Sequence, residues 1–390
     1  MNQGKYVFAQ VVEFLSHNDF NRCVKQFDGN FKVRHFTCWH QMLCMMFGQL
    51  SNRESLSDLM ICLQSQKQKF YHLGFGQGSS KANLAKANEN RDYRIYESFA
   101  TILIQQARTI CLGDSDFELK IDAPVYALDT TVIDLCLNVF WWARFRKNKG
   151  AVKMHTLFDI KTNIPAFIYI TDGLVHEVNV LDILTFETGG FYVMDKGFID
   201  FERLFRIHTE GAFFVTRAKN NFQFVRLYSH EVNKTIGIKC DQTVRLKNYT
   251  VSKAYPDKIR RIKYKDVETQ KELIFITNNF KLPATEIARL YKYRWEIELF
   301  FKWIKQHLKI KSFWGHSFNA VKTQIYIAII TYVLVAIIKH KMKLKKTNYE
   351  ILQILSISLL CKIPLNQLLE NTDLQYVKEQ NPNQLNIFEL

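Results

Sequence analysis

Apolar residues recur at helical spacing through the first 112 residues of the chain. The spacing predicts four helices, Tyr6–Leu15, Trp39–Leu50, Leu56–Leu63 and Ile95–Ile110. Ser55, three positions before Asp58, is typical of a residue that caps a helix N-terminus. The glycine-containing stretch 73–92 lacks the Lys-Ser/Thr pair of a phosphate-binding loop and is interpreted as a turn. Residues 1–112 are therefore expected to form an all-helical domain. Its short helices fit a DNA-binding module, but they also fit any other small helical bundle.

From residue 121 the pattern changes to short apolar runs separated by polar turns. Five runs predict strands: Val125–Leu128, Ala151–Ile160, Ile164–Thr171, Phe191–Met194 and Ala212–Thr216. Two stretches predict helices, His176–Phe186 and Phe201–His208, and Asp200 is placed to cap the second. The first strand is expected to end at Asp129 and the fourth at Asp195. This order of strands and helices predicts a mixed α/β fold.

The pattern breaks again over residues 220–282, where short β-like runs alternate with many Lys and Arg residues. A long helix follows over about 284–310, with Pro283 near its first turn. A basic β-rich segment is therefore expected to be inserted between the fifth strand and that helix. Residues 346–390 contain a further apolar helical stretch and a polar end, and are expected to form a helical C-terminal tail.

The run Ile325–Ile338 is apolar or nearly so over its whole length and is flanked by Lys322 and Lys339. A transmembrane helix needs about 20 such residues. The run is shorter than that, so a buried core helix is the preferred interpretation.

Charge adds information that the apolar pattern does not carry. The 390 residues include 53 Lys and Arg against 37 Asp and Glu, a formal net charge of +16. Residues 220–282 carry 13 basic and 6 acidic groups, and residues 283–345 carry 12 and 3. Such a concentrated surplus favours a polyanionic partner, nucleic acid before a membrane surface.

The eight cysteines form no C-x-x-C pair and no Cys/His set with zinc-finger spacing. Cys38, His40 and Cys44 come nearest, but they lie in an apolar helical run, and free cysteines are usually buried core residues. The N-terminus also lacks the features of a signal peptide. Reduced thiols and a cytoplasmic location are expected.

Two acids stand at the predicted ends of buried strands, Asp129 and Asp195. An ionised carboxylate at the edge of a core is costly unless it is paired or bound to a metal ion. Each alone also fits an ordinary role, because Asp often stops a strand or caps a helix. Two such acids in one sheet favour a metal site.

The predicted helix 284–310 supplies a polar stripe beside its buried face. At 100° per residue, four side chains fall within a 60° arc: Tyr291, Arg294, Glu298 and Lys305. Glu296 falls on the far side of the helix. Taken alone, the stripe is equally typical of a charged surface with incidental salt bridges.

The spacing of these four residues matches at every position the Y-R-E-K signature of DDE transposases of the bacterial insertion-sequence family four. Three further stretches are similar to that family: Asp129-Thr130-Thr131, Asp195-Lys196-Gly197-Phe198, and the run from Phe214 to Lys219. The likeness covers nearly the whole chain.

The resemblance implies a ribonuclease-H-like mixed-sheet catalytic core over residues 121–345, with the basic segment 220–282 inserted in it. It implies that Asp129, Asp195 and Glu298 are catalytic. Five residues are expected to hold DNA phosphates near the scissile bond: Tyr291, Arg294, Lys305, Arg217 and Lys219.

Phosphodiester cleavage must activate a nucleophile and stabilise charge on the leaving oxygen, and two divalent ions do both. Three carboxylates close together repel one another without metal. Oxygen ligands favour Mg²⁺ or Mn²⁺, so two such ions are expected on Asp129, Asp195 and Glu298.

The function expected from the sequence is transposition: the ends of an insertion sequence are cut and joined to target DNA. Two alternatives remain, a catalytically silent DNA-binding repressor and a metal-dependent nuclease without strand transfer. Presence of all three acids and of the full signature opposes the first alternative. The expected partner is double-stranded DNA, bound by a homodimer on paired ends in the nucleoid, with no membrane partner.

Overall fold

The computed structural model describes residues 4–112, 117–146, 149–266 and 270–370. Residues up to 110 are helical wherever they are regular. Their helices are α1 (Val7–Val12), α2 (His17–Gln26), α3 (Cys38–Leu50), α4 (Leu56–Gln64), α5 (Phe70–Leu73), α6 (Lys81–Asn90) and α7 (Arg94–Ile110). The side chain of Ser55 accepts a hydrogen bond from the Asp58 amide and caps α4, as predicted.

Helices α2, α5 and α6 lie outside the predicted set. Gly74, Gly76 and Gly78 have positive φ and form the predicted turn, but Lys81–Asn90 of that stretch is helix α6. Only Leu84, Ala87 and Asn88 of α6 are buried. So few apolar positions leave no helical periodicity to detect.

Residues 125–217 form a mixed sheet. Its elements are β1 (Val125–Leu135), β2 (Arg144–Arg146), β3 (Lys149–Asp159), β4 (Ile164–Asp172), β5 (Phe191–Met194), α8 (Phe201–Thr209) and β6 (Phe213–Arg217). Strand β3 pairs antiparallel with β1 and β4, whereas β1, β5 and β6 are parallel neighbours. The mixed α/β expectation is confirmed, and Asp200 caps α8. The helix predicted over His176–Phe186 is wrong: only a 3₁₀ turn, Glu177–Asp182, forms there.

The prediction that the first strand ends at Asp129 is also wrong. β1 continues to Leu135 and stays paired with β3, from Thr130 opposite His155 to Leu135 opposite Gly150. The residues after Asp129 include Thr, Val and Ile, whose branched side chains favour strands. What ends near Asp129 is the parallel pairing with β5, which stops at Leu128 and Met194.

The basic segment after β6 extends the same sheet. It contains β7 (Phe224–His230), β8 (Ile238–Leu246), α9 (Tyr249–Ala254), β9 (Ile259–Lys265) and β10 (Glu272–Thr277). β10 pairs antiparallel with β6, and β9, β8 and β7 follow in that order to the edge. The described strands thus make one ten-stranded sheet, and β10 is a structural neighbour of β6.

The single helix predicted over 284–310 is two helices, α10 (Ala284–Lys292) and α11 (Trp295–His307). They meet at Tyr293 and Arg294, whose dihedral angles stay near the helical region. The amide of Arg294 bonds to the carbonyl of Tyr291, a tighter i to i+3 bond. The break is therefore a local tightening that largely preserves the helical direction.

Helix α12 (Phe318–Lys341) is long and apolar enough to cross a membrane by length and composition, but its apolar window is entirely buried. It packs against α7, α3 and α6, and Lys322 within it bonds to the hydroxyl of Tyr93. The prediction of a buried core helix is confirmed. Two helices follow, α13 (Asn348–Ser358) and α14 (Leu365–Glu370), and α14 contacts α1. The remainder of the expected tail, 371–390, lies outside the described residues.

Candidate active site

Asp129 and Asp195 lie side by side because β1 and β5 are parallel and in register. Leu128 is paired with Met194, so the next residue of each chain segment is one of the two acids. Parallel neighbours are about 4.8 Å apart. Because successive side chains of a strand point to opposite faces of the sheet, both acids point to the same face. Tyr126, Leu128, Tyr192 and Met194 belong to the smaller apolar cluster, and the residues between them face the larger helical one.

Helix α11 brings the third carboxylate to this face through Arg294. One guanidinium nitrogen, Nη1 of Arg294, lies 3.1 Å from Oδ2 of Asp129. The other, Nη2, donates to the carboxylate of Glu298, one helical turn later. Arg294 therefore bridges Asp129 and Glu298.

Glu296 lies on the other flank of α11. It lines a cavity of about 510 Å³ together with Trp303, Tyr332 and Asn163, away from the bridge. Glu296 and Glu298 thus lie on different sides of α11, as expected, although the predicted helix is divided into α10 and α11.

Asp195 has an arginine of its own. Nη2 of Arg217, at the end of β6, lies 2.8 Å from Oδ1 of Asp195. Both arginines also approach one aromatic ring: the guanidinium carbons of Arg217 and Arg294 lie 5.9 and 5.8 Å from the centre of Tyr291. Tyr291 is buried and packs on Phe275 of β10. The two arginines therefore share one aromatic support.

The surroundings shift the pKa values of the two aspartates in opposite directions. Burial raises the pKa of Asp129 to about 6, and the nearby charges of Glu298 and Asp195 add to this. The amide of Thr130 and the charge of Arg294 oppose the shift only in part. Burial also acts to raise the pKa of Asp195, but hydrogen bonds from Arg217 and the Lys196 amide outweigh it, and the pKa is lowered. The surroundings of Asp129 therefore stabilise its charged carboxylate less than the surroundings of Asp195 do.

The donor chemistry of this face suits a hard divalent cation, since all three groups are carboxylates. The raised pKa of Asp129 supports the same fit, because a cation would favour its charged form. In the arrangement described, Arg294 and Arg217 provide that charge. Among the residues that the structure describes, no three acidic, histidine or cysteine side chains are grouped closely enough to hold a metal ion as they stand.

The two lysines of the predicted set do not contact the carboxylates. Nζ of Lys305 donates to the carbonyl of Val132 on β1, at 2.8 Å, three residues beyond Asp129. Lys219 donates to the carbonyl of Ile199, at 3.2 Å, and lines a cavity of about 310 Å³ beside Arg217. Lys305 thus lies on the flank of α11 that faces β1, and Lys219 lies past the end of β6.

Sequence reasoning did not find Arg261, which lines the same cavity as Lys219 and Arg217. It lies on β9, opposite Ile276 of β10, and β10 in turn pairs with β6. Its guanidinium lies 4.8 Å from the ring centre of Phe224. Only the strand order makes Arg261 a neighbour of Arg217, and no local motif marks it.

His155 holds the backbone next to Asp129 from the other face of the sheet. It is fully buried, and its ring nitrogens lie 2.8 Å from Oγ1 of Thr130 and 2.9 Å from Oγ1 of Thr171. The Thr130 amide in turn donates to Oδ1 of Asp129 at 2.8 Å. Burial and the charge of Lys153 lower the pKa of His155 to about 4, so its ring is neutral at pH 7. His155 is a supporting group in the core and contacts no acid.

Comparison with known proteins gives two family matches and several similar proteins. The family model of the transposase DDE domain matches residues 120–334, and that of a domain of unknown function (DUF4372) matches residues 3–76. The chain is 35% identical over 258 residues to a protein of Sinorhizobium fredii named as a transposase, covering 65% of this chain and 70% of that protein.

Two further relatives are named as transposases of insertion sequences. The protein for element IS5377 of Geobacillus stearothermophilus is 27% identical over 271 residues, which cover 68% of this chain and 69% of that protein. The protein for element IS4SA of Synechocystis is 26% identical over 272 residues, which cover 67% and 73%.

The chain belongs to the DDE transposases, in the group of insertion-sequence family four. It is an enzyme that cuts and joins DNA, and it depends on divalent metal.

Proposed function

We propose that Asp129, Asp195 and Glu298 are the carboxylates with which this transposase cuts the ends of its insertion sequence and joins them to target DNA. The observation that carries the proposal is the bridge by Arg294, which links Asp129 to Glu298 while Asp195 lies beside Asp129. Asp129 and Glu298 thus share one guanidinium, and Asp195 follows the strand that is paired with the strand of Asp129.

The same three side chains would hold two divalent ions, Mg²⁺ or Mn²⁺, through carboxylate oxygens. When bound, the metal supplies positive charge to the attacking and leaving oxygens of the phosphodiester. With that charge supplied, Arg294 and Arg217 would be available to bind phosphate oxygens, for which a guanidinium fork is suited. The ring of Tyr291 lies close to both guanidinium groups.

The reaction has two steps with one kind of chemistry. In the first, water attacks a phosphorus at the element end, and the bond to the 3′ oxygen breaks to leave a 3′-OH. In the second, that 3′-OH attacks a phosphorus of the target DNA and displaces another 3′ oxygen. We assign the binding of phosphates on either side of the reacting one to Lys305, which lies beside β1, and to Lys219, which lies beyond β6.

We further assign a ribonuclease-H-like core to residues 121–345, with the basic segment 220–282 inserted in it, an N-terminal domain at 1–112 and a C-terminal tail at 346–390. Support for the core comes from the three parallel strands β1, β5 and β6, with β3 antiparallel beside β1. In this assignment α12 is the part of the catalytic domain on which the N-terminal helices pack.

The basic segment and the N-terminal domain are proposed to contact DNA. In the segment, the rings of Phe222 and Phe224 stack 5.5 Å apart beside Arg261 and Lys219, a combination that suits unpaired or distorted bases. In the N-terminal domain, a groove of about 520 Å³ separates the loop after α2 from α6. The exposed side chains of Asn83, Lys86 and Asn90 line one wall of that groove, and Asn and Lys are common readers of base edges.

Paired element ends call for two copies of the chain, so a homodimer on DNA in the cytoplasm, associated with the nucleoid, completes the proposal. Support is chemical: the +16 charge favours nucleic acid, and the apolar window of α12 is buried in the protein.

A strand-transfer assay tests the proposal. A labelled, pre-cleaved element end is incubated with wild-type protein, target plasmid and Mg²⁺, and joined products are expected. Cleavage of an intact end without joining would identify a nuclease. Binding of the end without cleavage or joining would identify a repressor. The Asp195→Asn variant, which should bind the end but form no joined product, serves as the negative control.

A further inference from the structure

A lysine-rich corner joins α12 to α13, outside the site described above. Residues 339–346, here called the lysine corner, contain five lysines and one histidine: Lys339, His340, Lys341, Lys343, Lys345 and Lys346. The chain has no Asp or Glu between Glu298 and Glu350. The corner is therefore strongly positive, with no acid in its own stretch of sequence.

The backbone of the corner is held in place at both ends. The amide of Lys343, which has a positive φ, bonds to the carbonyl of His340, and that of Leu344 bonds to the carbonyl of Lys339. Leu344 is buried beneath them. Thr347 and Glu350 then form a capping box that starts α13. The lysines thus project from a defined turn.

None of the five lysines forms an ion pair with a residue that the structure describes. Lys341, Lys343 and Lys345 are exposed. Cations in the last turn of a helix stabilise its dipole, and this accounts for Lys339 and Lys341. It does not account for Lys343 and Lys345, which lie beyond the end of α12, whereas Lys346 lies near the carboxylate of Glu350.

The corner lies across α11 from the carboxylates. The ring of His307, near the end of α11, is 4.5 Å from that of Tyr349, three residues after the corner. Lys305, on the same helical turn, reaches β1 on the opposite flank. A helix is about 10 Å across, and phosphates along one strand recur every 3.4 Å or so. A duplex that is bound at the carboxylates and continues across α11 would reach the lysine corner within a few phosphates.

We propose that the lysine corner binds the phosphate backbone of double-stranded DNA without reading its sequence. It is a second DNA contact, on the far flank of α11, and it adds affinity for the duplex that extends beyond the reacting phosphate. Lysine suits this role because a flexible ammonium binds phosphate as a point charge and carries no base specificity.

The test compares two triple variants of the full chain with equal net charge. One changes Lys341, Lys343 and Lys345 to Gln. The matched control changes Lys67, Lys120 and Lys362 to Gln, which are exposed and far apart in the sequence. Binding of a short duplex of unrelated sequence is followed by fluorescence anisotropy over a range of salt concentrations in EDTA. Because no cleavage occurs, the result does not depend on whether Asp129, Asp195 and Glu298 are catalytic.

The corner variant should bind at least about tenfold more weakly at 0.1 M salt, and its log–log salt slope should fall by about 2.7, or roughly 0.9 for each lysine replaced. The control should keep the wild-type slope. Equal reductions of affinity in both variants would attribute the effect to net charge and overturn the proposal, as would no reduction in either. Binding of wild-type protein to vesicles of phosphatidylcholine and phosphatidylserine that depends on the corner, without a DNA effect, would also overturn it.

Discussion

The guanidinium of Arg294 lies 3.1 Å from the carboxylate of Asp129, although 165 positions separate the two residues in the chain. The contact joins the start of α11 to the middle of β1. The same guanidinium also donates to the carboxylate of Glu298, one helical turn later. The contact therefore links β1 to the helix that carries Glu298.

Arg294→Ala should lower the free energy of unfolding by about 1–3 kcal/mol, because it leaves the largely buried carboxylate of Asp129 without its charged partner. In an Asp129→Asn background the same change should cost clearly less, since the charge to be compensated is gone. Urea denaturation of the two single variants and the double variant measures the difference. Strictly additive effects on stability would mean that the pair does not interact.

Acid should destabilise the protein partly through His155. The unfolded chain protonates this residue near its ordinary pKa of 6.5, but the folded chain does so only near 4. Between these values the unfolded state binds the extra proton, so stability falls as the pH is lowered from 6.5 to 4. The contribution is at most about 3 kcal/mol.

His155→Gln, which retains a donor and an acceptor for the two threonines, should remove this part of the pH dependence. Urea midpoints of both proteins at pH 7 and pH 4.5 provide the measurement. Parallel pH profiles of the variant and the wild type would show that His155 does not contribute.

Binding to double-stranded DNA should depend steeply on salt, because the positive charge is concentrated in residues 220–345. Changing the exposed Arg226, Lys239 and Arg245 of β7 and β8 to Gln should reduce the log–log slope by about 0.9 for each phosphate that the variant no longer neutralises. Deleting the whole segment is unsuitable, because it would remove β10, the partner of β6. A slope near zero in the wild type would contradict the expectation that these basic residues bind DNA phosphates.

The sequence predicted the helical start, the mixed α/β order and the two acids after apolar runs, because each depends on local periodicity. It misplaced the end of β1, since the pairing that carries the strand past Asp129 comes from β3 and is not visible locally. It also treated α10 and α11 as one helix, because the tightening at Tyr293 and Arg294 leaves the apolar spacing unchanged.

In the candidate site, too, the contacts that depend on local spacing were predictable and those that depend on the sheet were not. Signature spacing correctly placed Arg294 and Glu298 on one side of α11, because one helical turn relates them. The bond from Arg217 to Asp195 and the position of Arg261 depend on the order of strands across the sheet. No spacing rule along the chain contains that order.

Two glutamates on α11 provide the most direct test of the proposed role of Glu298 in catalysis. Glu298→Gln should leave folding and DNA binding nearly unchanged but abolish cleavage and strand transfer, because the neutral amide is a poor metal ligand. Glu296→Gln is the matched control: the same change two residues away, on the flank that lines the cavity with Trp303. Its cleavage per folded molecule should stay near that of the wild type.

The measurement is cleavage of an element end in Mg²⁺ by both variants, with end binding and thermal unfolding followed in parallel. Full binding and no cleavage are expected for Glu298→Gln, and cleavage close to wild type is expected for Glu296→Gln. Equal cleavage by the two variants, or a greater reduction in Glu296→Gln, would contradict the assignment of Glu298 and the register of α11.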